Sequence, residues 1–156
     1  MPLSFEQLYT YQIGLVQAQA YRNLQAIFRD ALSPYHLTVP EWSLLGIVYG
    51  FGEIGLSNIT QMLKSKASHP STLVDHLAAR GLLDRRPDPD DRRNKIISIT
   101  AAGRDLVPEV EKATRASMNL ALSGIDRSEL VEYFMMLRRL AELDVQGISQ
   151  TDPFAS

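Results

Sequence analysis

Just after Gly81 the apolar pattern of this chain changes from helical to extended, and it changes back at Thr100. The stretches "LLDRR" and "KIISIT" are short and partly apolar or β-branched, and they bracket the polar segment "PDPDDRRN". This pattern predicts a two-stranded ribbon with a charged turn at its tip. The other periodic segments are helical, so the sequence predicts a mainly α fold that carries one small β-ribbon.

Two helices are predicted in the first third of the chain. The first begins at a capping-box pattern, Ser4 with Gln7, and continues with apolar residues at helical spacing to about Ala31. Pro34 ends it, because proline lacks a backbone donor. Thr38 is a good N-cap for the second helix, which stops near Gly50.

Two shorter helices follow a loop predicted over residues 52–55. The third covers Leu56 to Leu63, with Ser57 as its candidate cap. Ser68 or His69 caps the fourth, which ends at Gly81 in a left-handed conformation.

Two helices are also predicted after the ribbon. Thr100 caps a fifth helix, which contains Pro108 and is broken by Ser123-Gly124. Asp126 with Glu129 forms a capping box for the last one. The predicted order is therefore α-α-α-α-β-β-α-α.

Length and composition limit the classes of protein to which this chain can belong. A chain of 156 residues predicts a single domain, 1–156, and residues 147–156 read as a flexible tail. With no cysteine, a disulfide framework, a thiolate metal site and a cysteine nucleophile are excluded. The N-terminus lacks the pattern of a signal peptide and no apolar run could span a bilayer, so we expect a cytoplasmic protein without membrane contact.

Charge is distributed unevenly although the net charge is only −2. Residues 64–95 contain eight Lys or Arg against five Asp, a net +3, and the rest of the chain carries −5. A basic stretch on an acidic body is typical of a module that binds a polyanion.

The segment "GLLDRRPDPDDRRNKIISITAAGRDL" resembles the wing signature of the MarR (multiple antibiotic resistance regulator) family. "LTVPEWSLLGIV" and "STLVDHL", upstream of it, also fit the family pattern. At motif level the resemblance covers residues 37–106. It implies a winged helix-turn-helix regulator that forms a homodimer through interlocking terminal helices. It also implies small, often aromatic, anionic effectors that bind between the dimerisation helices and the DNA-binding lobe.

The resemblance and the helix order divide the chain by role. Residues 37–99 are the expected winged helix-turn-helix lobe, and 4–33 and 100–146 the expected dimerisation helices. An unusually apolar first helix also favours a twofold dimer, which would match a palindromic DNA operator.

The fourth helix, at about residues 68–80, is the expected recognition helix, because the second helix of such a motif enters the major groove. An ordinary solvated helix start is an equal alternative for its polar residues. Where the family pattern often has arginine, this chain has Thr72 and His76. The candidate DNA contacts on and just ahead of this helix are Ser65, Lys66, Ser68, His69, Ser71, Thr72 and His76.

The ribbon is the second expected DNA contact. Arginine at a narrow tip can enter the minor groove, where the potential is most negative. Asp90 and Asp91 are expected to orient these guanidinium groups, since carboxylates pair with arginine. Arg85 and Arg86 should divide by alternation, with one side chain toward DNA and one toward the body. The candidate wing contacts are Arg85, Arg86, Arg92, Arg93 and Lys95.

No pattern typical of an enzyme, cofactor site or metal site is present. His69 and His76 lie about 10 Å apart on one helix, too far to share one ion without other ligands. The aspartates of the tip lack the frame of a calcium loop.

Tyr35, His36 and Trp42 are the candidate effector contacts, because aromatic rings and an imidazole suit a planar anion. A core position is the more common alternative for Trp42.

The expected function is sequence-specific binding of double-stranded DNA, as a repressor released by a small aromatic or anionic effector. The alternative is a winged-helix module for protein–protein contact, since one fold can serve several functions.

Overall fold

The computed structural model describes residues 9–63, 69–91 and 93–143. These residues form six α-helices, one 3-10 turn and three short strands. The elements are α1 (Thr10–Leu32), the 3-10 turn (Ser33–Tyr35), α2 (Val39–Phe51), β1 (Glu53–Gly55), α3 (Leu56–Leu63), α4 (Pro70–Ala79), β2 (Leu83–Pro87), β3 (Lys95–Ile99), α5 (Ala101–Ala121) and α6 (Arg127–Glu142). The chain divides into two compact units, Met1–Leu120 and Ala121–Ser156. The predicted mainly α class and the order of its helices are confirmed.

A reciprocal capping box starts α2, and its N-cap is Thr38, as the sequence predicted. The backbone N–H of Thr38 donates to Glu41 Oε2 at 2.8 Å, and the backbone N–H of Glu41 donates to Thr38 Oγ1 at 3.3 Å. Glu41 is nevertheless buried. Its carboxylate therefore depends on these hydrogen bonds to offset the loss of water. The corresponding pattern predicted for the first helix, Ser4 with Gln7, lies outside the described residues.

The ribbon is part of a three-stranded antiparallel sheet in the order β1-β3-β2. Ile97, at the centre of β3, faces Ile54 on one side and Arg85 on the other. The prediction of a loop over residues 52–55 was therefore wrong. A three-residue segment that ends in a glycine shows no periodicity, and only pairing with β3 makes it a strand.

Ser57 is not the cap of α3, which is a second correction. The helix begins at Leu56, so Ser57 lies inside its first turn. The backbone N–H of Ser57 donates to Asn94 Oδ1 at 3.3 Å, across 37 residues of sequence. The helix start is thus satisfied by a distant side chain rather than by a local hydroxyl.

The helix α4 has the boundaries that its turn residues predict. His69 is the N-cap residue, without a side-chain capping bond, and Pro70 is the first helical residue. Gly81 has φ = 70°, the left-handed conformation expected after the helix. Ser68, the other candidate cap, lies outside the described residues.

One apolar core joins the elements of the first unit. It is built from residues of α1, α2, α3, α4, the sheet and α5, including the fully buried Leu44, Ile59, Leu77 and Ile97. Gly103 allows α5 to approach the sheet, because a Cβ at this position would lie 2.3 Å from the carbonyl oxygen of Leu82. This packing holds the helices and the ribbon in a fixed arrangement.

The described part of the second unit is essentially α6. Its N-cap is Asp126, which accepts a bond from the backbone N–H of Ser128 at 2.8 Å, and Glu129 completes the predicted capping box. None of its residues is buried, and several large apolar side chains are exposed: Val131, Tyr133, Phe134, Met135, Met136 and Leu140.

The N-terminal part of α1 has the same character as α6. Large apolar side chains are exposed there: Tyr11, Ile13, Leu15, Val16 and Tyr21. No helix in the described ranges is long and apolar enough to cross a membrane.

Candidate nucleic-acid interface

The helix α4 has one buried and one exposed side. Val74 and Leu77 are buried in the core, and Ser71, Thr72 and His76 are exposed. Asp75 lies on the same exposed side. This exposed side is formed by short polar residues that can donate or accept hydrogen bonds, as a helix that reads base edges requires.

Asp75 would repel DNA phosphates if its charge were not balanced. The guanidinium of Arg85, on β2, forms an ion pair with the Asp75 carboxylate. Both side chains are about half exposed, so the pair contributes little to stability but compensates the negative charge. It also connects the wing strand directly to α4.

Arg86 points to the other side of β2, as strand alternation predicts. Its Nη2 atom lies 3.1 Å from Glu53 Oε2 on β1. Both wing-strand arginines therefore have a carboxylate partner in the free protein, each on a different element. Both remain about half exposed.

Arginine and lysine side chains line a groove beside the wing turn, at the end of the strands where Pro87 pairs with Lys95. The groove has a volume of about 270 Å³ and is lined by Arg85, Arg86, Pro87, Asn94 and Lys95. Arg93 and Lys95 are exposed. A cationic groove next to the exposed side of α4 has the chemistry needed to bind a phosphate backbone.

The turn between β2 and β3 is closed by its own polar side chains. Asp88 Oδ1 accepts a bond from the backbone N–H of Asp90 at 3.0 Å, and Asp91 Oδ1 accepts one from the backbone N–H of Arg93 at 2.9 Å. The bond from Asp90, with a further one from Asn94, lowers the pKa of the Asp88 carboxyl below its usual range. Asp91 thus contacts the main chain of Arg93, and the predicted orientation of guanidinium groups by Asp90 and Asp91 stays a prediction.

His76 connects α4 to the start of α2. Its Nδ1 atom lies 3.6 Å from Oε1 of the buried Glu41. The imidazole is still 63% exposed, so it is available on the exposed side of α4 as well.

Arg80, just after α4, makes a second connection. Its guanidinium donates to the carbonyl oxygen of His36 at 2.9 Å and to that of Tyr35 at 2.8 Å. His36 has φ = 52°, a left-handed conformation that is uncommon for residues other than glycine. A charge-assisted pair of bonds from α4 thus holds this short turn.

A second groove lies beside the same turn. Its volume is about 480 Å³, and it is lined by Gln25, Arg29, Ser33, His36, Leu37, Thr38, Val39 and Pro40. Of the three predicted effector residues, His36 lines this groove, whereas Tyr35 and Trp42 pack against the apolar core. Arg29, Gln25 and His36 give the groove the donors that an anionic ligand needs.

Four predicted contact residues, Ser65, Lys66, Ser68 and Arg92, lie outside the described residues. Four residues with clear roles in the geometry were not identified from sequence: Asp75, Arg80, Glu53 and Asn94. Their partners are 10 to 45 residues away along the chain. Patterns of neighbouring residues cannot predict contacts between side chains that are this far apart in the sequence.

Comparison with known proteins agrees with this geometry. The model of the MarR family matches residues 37–95. The HTH-type transcriptional regulator YhbI of Bacillus subtilis is 30% identical over 140 residues, which cover 89% of this chain and 84% of that protein. The chain belongs to the MarR family. Regulators of the helix-turn-helix type are thus its relatives, and the predicted family is confirmed.

Two further proteins are similar to this chain. The HTH-type transcriptional repressor NicR of Pseudomonas putida is 28% identical over 138 residues, covering 86% of this chain and 85% of NicR. The structure of Bordetella bronchiseptica BpsR superposes with a TM-score of 0.72 at 26% identity, covering 92% of this chain and all of that one. BpsR is described as regulated in its DNA binding by 6-hydroxynicotinic acid.

Proposed function

We propose that this MarR-family regulator is a dimeric repressor that binds double-stranded DNA through α4 and the wing and releases it when a small aromatic acid binds. The observation that carries the proposal is the exposed polar side of α4 next to a cationic wing. Ser71, Thr72 and His76 would contact base edges, with His69 at the helix start. The wing residues Arg92, Arg93 and Lys95 would contact the minor groove and phosphates, as would Arg85 and Arg86 once released from their carboxylate partners.

The remaining proposed contacts lie ahead of α4. Ser65, Lys66 and Ser68 would bind phosphate, because the segment before a recognition helix runs close to the DNA backbone. Asp90 and Asp91 would shape the tip that carries the arginines.

The dimer is proposed from the exposed apolar side chains of α1 and α6. Surfaces of this kind usually mark an interface with a partner. A second copy of the chain is the occupant we propose, with residues 4–33 and 100–146 as dimerisation helices and 37–99 as the DNA-binding lobe. A twofold dimer would bind a palindromic operator with half-sites one helical turn apart.

The effector is proposed to bind the groove beside the 33–36 turn. Arg29 would pair with its carboxylate, and His36 and Gln25 would complete its polar contacts. The groove shares its wall with the turn that Arg80 holds, so an occupant that shifts His36 would also shift α4. The effect of 6-hydroxynicotinic acid on BpsR supports an aromatic acid as the class of ligand.

In the decisive experiment, fragments of genomic DNA from the source organism are passed over the purified protein. The retained fragments are then titrated with the protein at two salt concentrations. We expect a sequence-preferring complex that weakens steeply with salt, because phosphate contacts release counterions. The same titration is repeated with a panel of small aromatic carboxylic acids, including 6-hydroxynicotinic acid. Loss of the complex with at least one acid is the expected response.

Retention of no fragment above background would contradict the proposal and favour a protein–protein interaction module instead. If the protein binds DNA but no acid weakens the complex, only the proposed release by an aromatic acid is contradicted. We propose no catalytic activity, since the relatives NicR and YhbI are named as a transcriptional repressor and a transcriptional regulator. A transcriptional regulator acts where the DNA is, so we propose a cytoplasmic location.

A further inference from the structure

Asn94 connects the wing turn to the helix-turn-helix through both ends of its side-chain amide. Its Oδ1 atom accepts a bond from the backbone N–H of Ser57, in the first turn of α3, at 3.3 Å. Its Nδ2 atom donates to Asp88 Oδ2, across the wing turn, at 3.0 Å. One side chain therefore links both ends of the wing turn to the start of α3, which is 37 residues away in the sequence.

The main chain of Asn94 also closes the turn. Its N–H donates to the carbonyl oxygen of Asp91 at 2.9 Å, and its carbonyl oxygen accepts from the N–H of Asp88 at 3.3 Å. With these bonds, the position of the turn is determined by the position of Asn94.

Gly55 provides the space for this arrangement. A Cβ on Gly55 would lie 2.8 Å from Asn94 Nδ2, closer than real Cβ contacts. The amide therefore packs directly against the backbone of β1 at the point where α3 begins. Any larger residue at position 55 would push it away.

Asp88 is the wing carboxylate that this arrangement uses. It is half-buried, whereas Asp90 and Asp91 are exposed. It accepts bonds from the Asp90 backbone and from Asn94, and it is attracted to Arg86. The negative charge of Asp88 is thus compensated by donors of the protein itself, the Asp90 N–H and Asn94 Nδ2, and is not needed to bind a ligand.

We propose that Asn94 is a positioning residue for DNA binding: with Asp88 it fixes the direction of the wing relative to α3 and α4 before DNA arrives. A free turn would lose conformational entropy when it is ordered on DNA, and this cost would weaken binding. A turn that is already held avoids the cost, and the main chain of Arg93, whose N–H donates to Asp91, is held with it. The inference rests on the proposed DNA-binding function, but it requires no contact between Asn94 and DNA.

Exchanging the two partners tests the proposal. In Asn94→Asp, two carboxylates face each other and the bond to position 88 is lost. In Asp88→Asn, the single amide oxygen at position 88 can accept from the Asp90 backbone or from Asn94 Nδ2 but not from both, so one of these two bonds is lost. In the double variant Asp88→Asn/Asn94→Asp, the amide at 88 can donate to the carboxylate at 94, which still accepts from Ser57. The double variant also has the net charge of the wild type.

The measurement is affinity for a duplex that the wild-type protein selects from a random-sequence library. We expect each single variant to bind about tenfold more weakly, as the loss of one or two net hydrogen bonds implies, and the double variant to return to within about twofold of wild type. A hydroxyl-radical footprint should lose protection at the wing-contacted flanks in the single variants and regain it in the double variant. Thermal melting of each protein reports whether the fold is retained.

Two other models give different results. If only charge mattered, Asp88→Asn would bind more tightly than wild type, because it removes a negative charge. If Asn94 contacted DNA directly, the double variant would stay weak, because a carboxylate repels phosphate. Either result would overturn the positioning role of Asn94, although the wild type would still bind DNA. If the wild type selected no duplex at all, the proposed DNA-binding function would be overturned as well.

Discussion

Individual charged residues of this regulator are paired before any DNA is bound. Asp75 on α4 pairs with Arg85 on β2, and Glu53 on β1 pairs with Arg86. These surface pairs contribute at most about 1 kcal/mol to stability, because water screens them. Their main effect is electrostatic, because the guanidinium of Arg85 compensates the negative charge of Asp75 on the exposed side of α4.

Replacing Arg85 with alanine should therefore affect DNA binding more than folding. In Arg85→Ala the Asp75 carboxylate is unpaired, and we expect DNA affinity to fall about tenfold. The double variant Asp75→Ala/Arg85→Ala should recover part of the loss, because the repulsive charge is also removed. Urea unfolding should change by less than about 1 kcal/mol in each variant. A double variant that binds no better than Arg85→Ala would mean that Arg85 acts only as a phosphate contact.

Arg80 should control the response to ligand. Its two bonds to the carbonyl oxygens of Tyr35 and His36 join the turn beside the proposed effector groove to the end of α4. In Arg80→Ala we expect DNA affinity within about threefold of wild type and a smaller effect of the aromatic acid, because the coupling between the two sites is lost. The ratio of DNA affinities with and without the acid measures this coupling. An unchanged ratio would show that the signal does not pass through Arg80.

Among the secondary-structure elements, α5 packs closely against Leu82, just before β2, and against Ile99 at the end of β3, because residue 103 is glycine. A methyl group there would collide with the Leu82 carbonyl and the Ile99 side chain. We expect Gly103→Ala to lower the free energy of unfolding by about 1–3 kcal/mol, as overpacking usually does.

Gly46 provides the matched control for that substitution. It lies inside α2, and a Cβ there would meet nothing within 4 Å. Gly46→Ala should raise the free energy of unfolding by about 0.5–1 kcal/mol, because alanine favours the helix. Equal effects of the two substitutions in chemical denaturation would show that close packing at Gly103 is not the cause.

The cap of α6 should make this helix sensitive to acid. Hydrogen bonds from the Ser128 side chain and backbone lower the pKa of Asp126. A carboxyl with a lowered folded-state pKa stabilises above its unfolded value of about 3.9, and the contribution disappears as the pH falls through the folded value.

Circular dichroism of Asp126→Asn and wild type between neutral pH and the acid range tests this effect. Asparagine still accepts the capping bond but does not titrate. We expect the two proteins to have similar helicity near pH 7, and the wild type to lose more helicity on acidification. Parallel acid curves would mean that Asp126 does not cause the acid sensitivity.

At the scale of the whole molecule, exposed apolar side chains on α1 and α6 indicate a second copy as partner. We expect Phe134→Glu, on α6, to shift the protein from dimer to monomer, because a charge would be buried in the interface. Light scattering across a concentration series measures the mass. Glu132→Gln, also exposed on α6, is the control and should remain a dimer. A dimer in both variants would place the interface elsewhere.

Local patterns predicted most of the helices and their ends. The structure has three of these local signals as expected: the N-cap Thr38, the capping box of Asp126 with Glu129, and the left-handed Gly81. The fourth helix and the two-stranded ribbon were also predicted from local patterns. Their DNA contacts stay predictions until a complex is examined.

Sequence alone determined the helical periodicity, the turn residues and the basic stretch that carries the family signature, because these depend on neighbours along the chain. Only the tertiary structure decided that Glu53–Gly55 is a strand and that Ser57 is held by the wing. It also decided which carboxylate meets which arginine, and that Asn94 closes the turn. Those contacts form between segments that the sequence separates by up to 45 residues, and packing of the shared core brings them together.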